Sequence, residues 1–145
     1  MPTEAQAAFI KKHVPHAVEA TRQTGIFTNI ILAQWCHETT YGASKFYKVG
    51  MNLAGIKRGR ASGAVIPGTT TRLYTSYEEC LIDWLRVIRL SYYRKVLEAK
   101  TIDDQVRELG LSPWSEGHYG KPGFEGENLR KHFANVEVVL PVIQL

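Results

Sequence analysis

The chain has 145 residues, 44% of them hydrophobic and 22% charged. That suits one folded domain which buries roughly two thirds of its unfolded surface, and it excludes a disordered chain or one with an apolar run long enough to reach across a bilayer. A net charge of +4 and a pI near 9.1 favour anionic partners. The basic residues are scattered apart from Lys57, Arg58 and Arg60, however, and no groove-reading motif supports a nucleic-acid partner.

Thr3 with Gln6 forms a capping box for a helix with Phe9 and Ile10 on its apolar side. Pro15 is expected to end that helix and to open another, running through Val18 to about Thr24 and stopping at Gly25. Thr28 or Asn29 should cap the next helix, which ends at Gly42. It carries the most telling residue of the chain. Residues three, four and seven apart share a helix face, so Glu38 lies over Trp35, Gln34 and Ile31. A carboxyl group buried beside an indole holds its proton more tightly, as a general acid working near neutral pH requires.

Residues 43–53 lose periodicity and are expected to form a loop. Residues 56–75 alternate glycine and proline with short β-branched runs, which reads as a small β-hairpin lobe. Ser76 with Glu79 caps what should be the central helix, where Leu81, Trp84, Leu85, Ile88, Tyr92 and Val96 recur for about six turns as core. Thr101 opens a helix to Gly110, and Leu129, Phe133, Val136 and Leu140 mark a last one before Pro141. Between these, residues 111–126 form an aromatic loop suited to wall a binding site or to pin itself to the core.

Cys36 and Cys80 have neither disulfide-framework nor zinc spacing; both read as small core residues, with a bridge between two packed helices left open. His37 should point away from the Glu38 face. No metal or cofactor is implied. The start of the chain is acidic where a secretory signal would be basic, so action outside the cytoplasm is expected to rely on phage delivery, separate export or a longer parent protein.

The order of parts is specific: Ile31-Leu32-Ala33-Gln34 leading to Glu38 and Tyr41-Gly42-Ala43-Ser44, then Asn52-Leu53-Ala54-Gly55-Ile56-Lys57, then Leu73-Tyr74-Thr75-Ser76-Tyr77-Glu78-Glu79. It resembles glycoside hydrolase family 73, the peptidoglycan endo-β-N-acetylglucosaminidases of autolysins and phage lysins. The resemblance implies a mainly helical α+β, lysozyme-like domain over residues 1–145, acting as a monomer at the bacterial wall. It implies hydrolysis of the N-acetylglucosaminyl-β-1,4-N-acetylmuramic acid bond with Glu38 as general acid. Trp114-Ser115-Glu116-Gly117-His118-Tyr119 looks like the family's tyrosine-bearing loop, placing Tyr119, or else Trp114, at the cleft. Gln34, Tyr41, Asn52, Thr70, Thr71 and Trp114 are the candidate substrate-binding residues.

One departure stands out. Glycosidases need a second carboxylate across the bond, and family members often carry a glutamate on the β lobe; here Lys57 to Tyr77 contains no Asp or Glu. The substrate's own N-acetyl group is the first expectation for the missing group. The others are an acid from the late loop (Glu116, Glu125 or Glu127) or capture by a sugar hydroxyl as in lytic transglycosylases. A muramidase or a transglycosylase on the same fold, or a non-catalytic peptidoglycan-binding module, are the alternative functions.

Overall fold

The computed structural model describes residues 1–59 and 63–142; Arg60, the third member of the basic run, lies outside them. Seven α-helices make up the described fold: α1 (Glu4–Thr24), α2 (Thr28–Thr39), α3 (Lys45–Gly50), α4 (Tyr77–Ile88), α5 (Arg94–Glu98), α6 (Ile102–Leu111) and α7 (Glu127–Val139), with a 3-10 turn at Ser91–Tyr93.

The Thr3–Gln6 capping box is formed in both directions, but Pro15 does not divide α1. Its missing N–H leaves the Lys11 carbonyl without that helical donor, and both residues are exposed, so the group is open to solvent. Meanwhile Phe9, Ile10, His13, Ala17 and Ala20 stay buried on one uninterrupted face. Continuity of that face outweighs the cost of an internal proline, about 3 kcal/mol.

The element at the centre is α2 rather than the helix after Ser76. Every residue from Asn29 to Cys36 is buried, as befits a helix enclosed on all sides, and α2 packs on α1, α6 and α7. Neither Thr28 nor Asn29 supplies a capping side chain; the N-cap is Phe27, and the Asn29 amide instead donates to Leu140 O at 2.6 Å. The helix stops at Thr39, three residues before Gly42, through left-handed Thr40, Tyr41 and Gly42.

The stretch expected to be loop holds α3, six residues with Tyr47 buried. The expected six-turn helix is shorter: α4 ends at Ile88, and the chain resumes through the 3-10 turn into α5. That break turns Tyr93 inward and leaves Tyr92, expected in the core, 72% exposed.

The β lobe pairs antiparallel at Lys57 with Thr71 and at Val65 with Arg72, as isolated bridges. Residues 70–73 run between the other two segments, with Arg72 N donating to Ile56 O (2.8 Å) and Leu73 N to Ala64 O (3.0 Å). The lobe is tied to α4 through Asp83, which accepts from the Tyr74 hydroxyl (2.5 Å) and Arg86 Nε (2.7 Å) and pairs with Arg72 at 3.5 Å. Cys36 and Cys80 are both free and buried, so the bridge left open is not formed; Cys80 Sγ accepts the Leu53 N–H instead.

Candidate active site

Glu38 occupies the last turn of α2, half-buried, above the fully buried Gln34 and Trp35. Burial raises its pKa above the ordinary carboxylate value, and the negative charge of Glu116 pushes the same way. A hydrogen bond from Tyr119 and the charges of His118 and Lys57 oppose the rise without cancelling it. The Tyr119 hydroxyl donates to Glu38 Oε1 at 2.7 Å. With Oε1 engaged as acceptor, the proton of the acid form belongs on Oε2, which lies 3.2 Å from where a Cβ on Gly55 would stand. Gly55, at φ +64°, therefore spares Oε2 the crowding that a side chain at this position would bring.

Tyr119 is fully buried, and burial together with the Glu38 carboxylate drives its own pKa well above the usual tyrosine value, so it remains a neutral donor. Its ring packs edge-on against His37 with centroids 5.2 Å apart. Gln34, one turn below Glu38, accepts from Trp84 Nε1 at 2.9 Å through its Oε1. The acid thus stands on a packed pedestal of Gln34, Trp84 and Tyr119.

Glu38 opens into a cleft of about 640 Å³. It is lined by Phe46, by residues 54–58 and Thr71, and by Arg86, Val87, Leu90, Tyr93, Trp114, Glu116 and His118. Trp114 is held there by an Nε1 hydrogen bond to Ala54 O (3.2 Å) and by contact with the Trp84 and Tyr93 rings. A flat ring, an acid and cationic groups in one cleft suit a sugar chain carrying negative substituents. Among the described residues no cluster of His, Cys, Asp and Glu could hold a metal ion.

A protein-family model named Glucosaminidase and described as mannosyl-glycoprotein endo-β-N-acetylglucosaminidase matches residues 14–121. The chain belongs to this glucosaminidase family, glycoside hydrolase family 73. Membership makes it a glycosidase. Among solved structures, the fold is similar to the catalytic domain of the autolysin Auto from Listeria monocytogenes (TM-score 0.68, 20% identity, 96% of this chain and 88% of that one). It is likewise similar to the glycoside hydrolase domain of Salmonella typhimurium FlgJ (0.70, 23%, 92% and 89%) and to a peptidoglycan hydrolase from Sphingomonas sp. A1 (0.71, 24%, 96% and 98%). A comparison with curated protein sequences gave no match.

Against the expectations for a glucosaminidase of this kind, the candidate residues divide. Glu38, Thr71 and Trp114 border the cleft. Tyr119 does not face it, being buried behind Glu38. Gln34 is also buried, in the pedestal. Tyr41 turns away toward α7, where its hydroxyl meets His132 Nδ1 (2.8 Å) and Asn135 Nδ2 (2.9 Å). Asn52 is fully buried and holds the turn, donating to Ile56 O and Arg72 O and accepting from the Ala54 and Ile56 N–H groups. Thr70 is exposed outside the cleft, its carbonyl accepting from Arg58 N. His37 is half-buried and meets His132 at 3.2 Å; burial, then the charge of His118, lowers its pKa. Arg86, at the end of α4, was missed, and so were Leu90 and Tyr93, because the break after Ile88 that turns those two to the cleft has no glycine or proline to announce it.

Proposed function

We propose that the protein hydrolyses the N-acetylglucosaminyl-β-1,4-N-acetylmuramic acid bond of peptidoglycan at the bacterial cell wall, with Glu38 as the general acid. The observation that carries this is a carboxyl group with raised proton affinity that borders an open cleft, its Oε1 held by Tyr119. In the reaction Glu38 gives its proton to the leaving O4 as the C1–O4 bond breaks, and Tyr119 holds the carboxylate that forms. Tyr119 is a positioning residue, since it touches Glu38 and not the cleft.

The family description names a mannosyl-glycoprotein substrate, whose glycan core is uncharged, whereas the solved neighbours are described as an autolysin and a peptidoglycan hydrolase. Lys57, Arg58 and Arg86 in the cleft walls favour the second kind of substrate, because its lactyl groups and stem peptides carry carboxylates. Thr71 and Trp114 are the proposed sugar contacts.

Glu38→Gln keeps the shape and removes the proton. It should abolish release of reducing ends from purified cell walls, and activity equal to the unsubstituted protein would sink the assignment. Borohydride reduction followed by mass spectrometry should give a reduced N-acetylglucosamine end. N-acetylmuramitol would instead indicate a muramidase, an anhydro-muramyl end a transglycosylase, and binding without soluble product a non-catalytic module.

A further inference from the structure

With the usual β-lobe acid missing, an inverting glycosidase of this fold needs a carboxylate from elsewhere to take a proton from water. Of the late-loop candidates, Glu125 accepts the Gly123 N–H and, like Glu127 at the start of α7, does not border the cleft. Glu116 does, and besides Glu38 it is the one carboxylate among the described cleft residues. Three features fit it for the role. It is exposed, and it makes no hydrogen bond or ion pair with any described residue, so a water can reach it. It has φ +46°, in the left-handed region that non-glycine residues seldom occupy, and such backbone positions concentrate at functional sites. Its loop is fixed at both ends: Trp114 Nε1 is anchored on Ala54 O, His118 N donates to Ser115 O at 2.7 Å and Tyr119 N to Ser115 Oγ at 3.2 Å. One short loop therefore carries both Glu116 and the tyrosine bonded to Glu38, and both carboxyl groups border the same cleft.

We infer that Glu116 is the general base of this active site. Its carboxylate takes a proton from a water whose oxygen bonds to C1 as the C1–O4 bond breaks and O4 takes the Glu38 proton. Glu38 ends ionised and Glu116 protonated, and exchange with solvent resets both. Attack opposite the β bond yields an α-configured reducing N-acetylglucosamine. Burial first, and the charge of Glu116 in smaller part, raise the proton affinity of Glu38, in keeping with the division of roles a carboxyl pair requires. This inference rests on the proposed glucosaminidase reaction, and it replaces the substrate's acetamido group as the source of the second function.

Two variants test it. Glu116→Gln keeps the size, and Glu116→Gly suits the left-handed backbone; both should fold with unchanged Tm and lose about 100-fold or more in kcat on purified walls. Azide should restore turnover to Glu116→Gly, giving α-azide ends. Glu125→Gln should match the unsubstituted protein. Proton NMR of the first product should show the α anomer. A β anomer formed first, full activity in Glu116→Gln, or loss confined to Glu125→Gln would each overturn Glu116 as base. If Glu116→Gln is fully active while Glu38→Gln is dead, the hydrolase reading survives without this base. If both are fully active, the reading itself falls.

Discussion

Tyr119 gives Glu38 a single hydrogen bond with two opposite consequences. It stabilises the carboxylate, which is the state Glu38 reaches in the transition state, and for the same reason it lowers the pKa that burial has raised. Removing the hydroxyl in Tyr119→Phe leaves the buried ring in place and takes away a charge-assisted bond worth about 1.5–3 kcal/mol. The variant should lose roughly 10- to 100-fold in kcat at nearly constant KM, since Tyr119 touches no substrate. The pH profile fixes the sign: with the lowering contribution gone, the alkaline limb of kcat, where Glu38 loses its proton, moves to higher pH. A lower kcat with an unmoved limb would mean that Tyr119 acts on packing alone. Glu38 itself was legible in the sequence, because the residues three, four and seven before it are buried core, and helical spacing transmits that fact directly. The orientation of Tyr119 was not legible. It depends on a contact spanning 81 positions, and an aromatic loop reads the same whether a ring points into a cleft or under it.

At the level of elements, capping chemistry and the buried faces were readable, as at Thr3, Ser76 and Thr101, whose side chains all accept the expected backbone N–H. What failed was local propensity where tertiary packing overrode it. Pro15 stays inside α1, α3 forms without a capping bond, and α4 breaks after Ile88 at residues that favour no turn. Gly42 shows the same dependence on packing from the other side. At φ +84° it brings the end of α2 against α1 and α3 so closely that a Cβ would stand 2.9 Å from Phe9 Cδ2 and 3.0 Å from Tyr47 Cε2. Gly42→Ala meets both a left-handed backbone and two ring edges, so it should lower unfolding stability in urea by about 1–3 kcal/mol. An unchanged midpoint would show that the Phe9 and Tyr47 rings yield freely. Gly25 has a similar φ of +78° with nothing within 4 Å of its added Cβ, and Gly25→Ala at that position separates backbone strain from crowding.

Across the whole molecule, positive charges exceed negative ones by four, and three of the cations, Lys57, Arg58 and Arg86, border the cleft that holds Glu38. Arg86 is partly committed to Asp83 at 2.7 Å, which leaves the two β-lobe cations as the freer pair. Such exposed charges act at range and are screened by salt, over about 30 Å at 0.01 M ionic strength and about 3 Å at 1 M. For purified walls, KM should therefore rise severalfold across that interval while kcat changes little, because Tyr119, which holds Glu38, is fully buried. An uncharged N-acetylglucosamine oligomer lacks the carboxylates that these cations would attract, so its KM should hardly move. Replacing both lobe cations in Lys57→Gln with Arg58→Gln should flatten the salt curve for walls toward that of the neutral oligomer. Equal salt responses for the two substrates would remove the cationic walls from substrate selection, and the case for peptidoglycan over a neutral glycan would then rest on product analysis alone.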